Sequence, residues 1–168
     1  KVECGKTVKP QDGWTALACQ KDYGSTHKAQ DFICIGYDDV KSIQYFGENI
    51  EAYWRRDGAQ FEDIANMAVK DFPDICVRVC EFENELMEKA RKISDKYEQI
   101  VSLAFRQAIA AHKLCWHNGE VQFLSKENYS NGCIGTVDVT YPSIPLFLIY
   151  NPELVEGMLN PIFKMCSL

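Results

Sequence analysis

Along the first third of the chain, apolar and polar residues alternate in short runs. The segments WTALACQ (Trp14–Gln20), DFICIGYDD (Asp31–Asp39), VKSIQYF (Val40–Phe46) and NIEAYWRR (Asn49–Arg56) are rich in aromatic and β-branched side chains. Polar or glycine-bearing breaks separate them, which predicts four short β-strands. Asp38-Asp39 and Gly47-Glu48 read as hairpin turns of an antiparallel meander. The apolar face of such a sheet needs a cover.

After Asp57-Gly58 the period lengthens from two to about 3.6. Phe61, Ile64, Ala65, Ala68, Phe72, Ile75, Cys76, Val79 and Phe82 recur at helical spacing, and Pro73 is expected to divide a first helix from a second. A third helix is predicted from an N-cap at Ser94, through the stripe Tyr97, Val101, Ala104, Phe105, Ala108 and Ala111, to a stop at Asn118-Gly119. Farther on, Asn151-Pro152-Glu153 combines an N-cap, a proline at the first helical position and an acid at the positive end of the helix dipole. That helix is expected to reach about Asn160, where Pro161 bends or restarts it. The whole pattern is α+β, with an antiparallel β segment over residues 1–58 and a helical segment over 59–168.

Charge narrows the function. The net charge is −6 and no Lys/Arg run occurs, so no nucleic-acid partner is expected. No membrane span is expected either, because the longest apolar run, Ile144–Tyr150, falls far short of the roughly 20 residues a span needs. Ten acids against six bases between Phe61 and Ile100 describe a solvated outer face. The eight cysteines mostly sit beside apolar residues and read as reduced, buried thiols. Cys76 and Cys80 share a helical face but lack a second Cys/His pair at zinc-like spacing, so no metal site is expected.

The last section is chemically different. From Val121 to Leu168 only six of 48 residues are charged. Burying an unpaired charge costs several kcal/mol, so Lys126, Glu127 and Asp138 are either surface residues or parts of a satisfied site. Brought together across the turn containing Asn131-Gly132, Glu127 and Asp138 could serve as general acid and general base. The plain alternative is a set of loop charges. Ser125 and Cys133 have no evident histidine base for nucleophilic chemistry, and no HExxH, GxSxG, P-loop or dinucleotide motif is present. His112, expected on the third helix, reads as a hydrogen-bonded interhelical residue, and Arg55 and Arg56 beside Trp54 as stacking or pairing groups. So little charge predicts packing against further protein or self-association.

The segments SIQYFGENIEAYWRRDG, FRQAIAAHKL and FLSKENYSNGCIGTVDVTYPSIPLFLIYNPELVEGMLNPIF closely resemble the bacterial and fungal glutaminase A family, from about Trp14 to Phe163. The resembling region is the domain of unknown function that precedes that family's helical catalytic region. Cys133 stands where many relatives carry a small residue such as serine, a departure that leaves the carboxylates untouched. The resemblance implies a β-sandwich followed by an (α/α)6 six-hairpin barrel, of which residues 1–58 supply late strands and 59–168 the opening helices. On that reading the chain is a fragment, inactive alone and completed by a C-terminal helical part of the same protein. The implied reaction is hydrolysis of glutamine to glutamate and ammonia, without metal or cofactor. Glu127 and Asp138 would project as catalytic groups from loops at the barrel mouth, with Lys126, Asn128, Asn131 and Tyr141 binding substrate. A six-hairpin glycoside hydrolase acting on a sugar with the same carboxylates, and a non-catalytic interdomain scaffold, are the alternatives. Export to the periplasm, cell envelope or medium is expected from the resemblance.

Overall fold

In a computed structural model of the chain, residues 20–127 and 131–167 are described. The strand expected at Trp14–Gln20, apart from its last residue, and the candidate Asn128 lie outside the described residues. The chain divides into two units, Lys1–Cys34 and Ile35–Leu168. In the described part of the first unit, Asp31 pairs with the Lys21 ammonium and accepts the Phe32 amide at 2.9 Å and the Tyr23 hydroxyl at 3.0 Å. These bonds, the lysine's first, hold its carboxyl down to about 2.

The second unit is α+β. Its elements are β1 (Ile43–Tyr45), β2 (Glu48–Ala52), a 3-10 turn (Tyr53–Arg55), α1 (Phe61–Arg91), α2 (Asp95–Ala110), β3 (His112–His117), β4 (Glu120–Ser125), α3 (Val137–Tyr150) and α4 (Pro152–Cys166). The strands form one antiparallel sheet in the order β1-β2-β3-β4. Both hairpins close through two-residue turns whose central residues have positive φ: Phe46 (47°) and Gly47 (87°), then Asn118 (50°) and Gly119 (85°). Such turns match the right-handed twist of the strands they join.

Four expectations are corrected. Residues 31–39 form no strand, because Asp38 and Asp39 are engaged elsewhere. Asp38 accepts the Val40 amide and pairs with Arg55, while Asp39 pairs with Lys113. Pro73 does not divide a helix, and α1 runs through it. The Val69 carbonyl that loses its partner there belongs to an exposed residue, where water can replace the missing amide. The third helix stops at Ala110, and Asn118-Gly119 turns a β-hairpin instead of ending a helix. Likewise α4 continues through Pro161 to Cys166.

The remaining helix signals hold. The Ser94 hydroxyl accepts the Tyr97 amide at 3.1 Å and caps α2. Asn151 precedes Pro152 at the start of α4. The helical pair α1–α2 is joined at its turn by Arg91 and Glu98 and tied to the end of α3 by Phe82, Phe105 and Tyr150, whose ring centroids lie 5.0–5.4 Å apart. Six cysteines are free among the described residues, and only Cys115 is buried, its thiol pushed up to about 11 by desolvation. The expected burial fails for Cys76 and Cys80 because α1 buries only Ala90.

Two cores sit on the sheet. Ile43, Tyr45 and Ile50 pack with Cys115 and Leu124. Phe123 meets Phe147 of α3 and Val155 and Met158 of α4 on the other set of alternating positions. Here α4 lies very close to β4. A Cβ added at Gly157 would stand 2.9 Å from Val121 Cγ1, 3.0 Å from the Phe123 amide nitrogen and 3.2 Å from Phe123 Cβ. Asn160 of the same helix donates its side-chain amide to the Val121 carbonyl at 3.0 Å. Gly157→Ala is therefore expected to lower stability by about 1–3 kcal/mol in urea unfolding, as overpacking does. A gain of up to about 1 kcal/mol, the ordinary benefit of alanine in a helix, would contradict this close contact.

Candidate functional site

The connection from β4 to α3 carries the charged block, and it is held at both ends by backbone bonds. The Lys126 amide donates to the Ala111 carbonyl at 2.8 Å, where β4 leaves the sheet beside the end of α2. Lys126 then faces Ile134 across an isolated antiparallel bridge, and the Glu127 amide donates to the Cys133 carbonyl at 3.2 Å. The chain folds back on itself here, as Asn131-Gly132 predicts. Asn131 Oδ1 accepts the Cys133 amide at 2.7 Å, the local bond by which asparagine builds a turn.

The returning limb is anchored as well. Gly135 adopts φ 63°, which a glycine tolerates without a Cβ penalty, and its amide donates to the Ser125 carbonyl at 2.9 Å. Thr136 then begins α3, its carbonyl accepting the Val139 and Thr140 amides at 3.1 and 2.9 Å. Inside, the Ser125 and Thr140 hydroxyls meet at 3.3 Å, both residues almost fully buried. That contact fixes the first turn of α3 against the last residue of β4.

Each proposed site residue except Asn128, which lies outside the described residues, has a position. Lys126 and Glu127 leave the end of β4 half-buried. Asn131 is exposed at the bend. Asp138 is exposed in the first turn of α3, where an acid complements the helix dipole, and so stands on a helix and not on a loop. Tyr141, one turn later, is 77% exposed. Two prolines within α3 add a feature that charge alone did not reveal. Pro142 and Pro145 have no amide hydrogen, so the carbonyls of Asp138 and Tyr141 lose their helical i+4 donors. These two acceptors belong to the same exposed turn that presents both side chains.

Other candidates resolve into structure. Ser125 faces His112 across the β3–β4 pair, and its hydroxyl meets that of Thr140. The Arg55 guanidinium lies 4.5 Å from the Trp54 ring centre and pairs with Asp38, while that of Arg56 lies 4.0 Å from the Tyr53 ring centre, so both act by stacking and pairing. His112 opens β3 and bonds to the Ala108 carbonyl. Among the described residues no group of three or more His, Cys, Asp or Glu is placed to hold a metal ion, and no helix is long and apolar enough to cross a membrane.

An α+β unit whose polar loop is braced between a sheet and a run of helices is the frame these residues define. Residues 4–89 match the domain of unknown function DUF5127, and residues 94–168 match the glutaminase A six helical-hairpin domain. The chain belongs to the glutaminase A family. It is 29% identical to Glutaminase A of Aspergillus oryzae over 163 residues, which cover 90% of this chain and 23% of that protein. It is 32% identical over 84 residues to a probable glutaminase of Arthroderma benhamiae, covering 49% of this chain and 10% of that one. The chain thus spans less than a quarter of the length of these curated relatives. No solved structure matches it.

The brace makes a prediction of its own. Thr140→Val leaves the buried Ser125 hydroxyl without its partner and should cost about 1–3 kcal/mol, whereas Ser125→Ala with Thr140→Val removes both polar groups and should recover part of that loss. A double-mutant cycle by urea unfolding checks it. Strict additivity of the two single changes would show that the hydroxyls do not act together.

Proposed function

We propose that this chain supplies part of a glutamine-hydrolysing site, with Glu127 and Asp138 as its acid and base, which works only when the rest of a longer protein completes it. The observation that carries the reading is the match to Glutaminase A along 90% of the chain, through the block that holds both carboxylates. The geometry supports it, since Glu127 and Asp138 stand on the outgoing and returning limbs of one braced connection.

The chemistry asked of these groups is simple. One carboxylate removes a proton from water as its oxygen attacks the side-chain amide carbon of glutamine. The resulting tetrahedral oxyanion needs a donor, a role suited to Lys126, Asn131 or Tyr141. The second carboxyl group delivers a proton to the departing nitrogen, the C–N bond breaks, and glutamate and ammonia leave. The carbonyls of Asp138 and Tyr141, which lack an i+4 helical donor, can accept hydrogens from the substrate's ammonium group. Asn128 belongs to the same substrate-binding set by its place in the block.

In protein of the relatives' full length, Glu127→Gln and Asp138→Asn should each lower kcat for ammonia release by at least about 100-fold, the usual effect of losing an acid or base. The 168-residue chain by itself should release none. Unchanged turnover in both variants would overturn the assignment.

A further inference from the structure

A second feature lies away from the charged block, on the helical side of the sheet. A cavity of about 380 Å³ opens between α2, the β3–β4 hairpin and the α3–α4 junction, with Phe105, Ile109, His112, Phe123, Phe147 and Leu154 in its walls. That volume falls within the usual range for small-molecule sites. No charged side chain lines it, so an ionic ligand would lose its hydration without compensation.

One polar atom there has no partner. His112 is 8% exposed, stacks on Phe123 at 4.6 Å with an 18° tilt, and meets the edge of Phe147 at 5.2 Å. Its Nδ1 lies 2.6 Å from the Ala108 carbonyl oxygen. A carbonyl only accepts, so Nδ1 carries the hydrogen. Desolvation lowers the pKa of the ring despite that bond, which favours the neutral form. Nε2 is then a bare acceptor, buried and without a hydrogen-bond partner. A lone water would be poorly held there, since a buried water requires two to four polar neighbours and the walls are nearly all hydrocarbon.

We propose that this cavity binds a small neutral aromatic molecule with one O–H or N–H donor, of the phenol class, which donates to His112 Nε2 while its ring packs among Phe105, Phe123 and Phe147. An aromatic ring suits walls that already pair edge to face. The buried, unpartnered His112 Nε2 selects for a donor, while the other polar residues of the lining, Tyr150 and Asn151, are exposed. This site is independent of the glutaminase reading and requires no catalytic activity.

Phenol and toluene, titrated into the 168-residue chain and followed by amide and histidine-ring ¹⁵N spectra, separate the donor from the ring. Phenol should bind at least about tenfold more tightly than toluene, which corresponds to about 1.4 kcal/mol. The His112 Nε2 resonance should move on saturation. His112→Phe, which keeps an aromatic ring but removes the acceptor, should abolish the preference. Equal affinities, no binding, or a preference that survives His112→Phe would overturn the proposal. If that variant does not fold, an Nε2 resonance left unmoved by saturating phenol in the unaltered protein does the same.

Discussion

The close approach of α4 to β4 at Gly157 is the contact on which the arrangement of the second unit depends. A glycine in a helix costs about 1 kcal/mol relative to alanine, and the chain accepts that cost in the middle of α4. In return, the helix backbone comes within van der Waals range of Val121 and Phe123, and Val155 and Met158 pack with Phe123 and Phe147. Any larger residue would hold the helix off the strand. Because β4 is the strand from which the charged block departs, and α3 leads directly into α4, this contact also sets where both ends of the block stand.

The block inherits its order from that frame. Its outgoing limb continues β4, its returning limb begins α3, and the Ser125–Thr140 contact joins them in the interior. The backbone that carries Glu127 and Asp138 is held by the bond of the Gly135 amide to Ser125, that of the Lys126 amide to Ala111, and the first turn of α3. In this connection the backbone supplies the rigidity. The prolines of α3 act at the same place, because they remove the i+4 donors of two carbonyls at the turn that bears Asp138 and Tyr141.

Much of this was legible in the sequence, and the failures have identifiable causes. Ser94 and Pro152 mark helix starts by local chemistry, which operates in the same way in any surroundings, and Asn151 takes the N-cap position of α4 without a side-chain capping bond. The hairpin at Asn118-Gly119 was misread because the same dipeptide can end a helix or turn a hairpin, and the apolar stripe of α2 runs up to it. The alternation in HKLCWH and EVQFLS on either side was the available signal. Pro73 misleads because the rule against proline in a helix assumes that the orphaned carbonyl has no alternative partner, and the exposed Val69 carbonyl can take water. Lys126, Glu127 and Asp138 stood out as charges in a charge-poor segment. Their bracing did not, since the Ser125–Thr140 contact and the seat of Gly157 exist only once α3 and α4 have packed on β4.

On the proposed function, substrate meets the two limbs of this connection. A crystal structure of the protein at its relatives' full length, with glutamate bound, addresses it most directly. The product's side-chain carboxylate is expected within hydrogen-bond reach, about 3 Å or one bridging water, of Glu127 or Asp138. Glutamate bound at a site where neither carboxylate can reach it, even through one water, would contradict the claim.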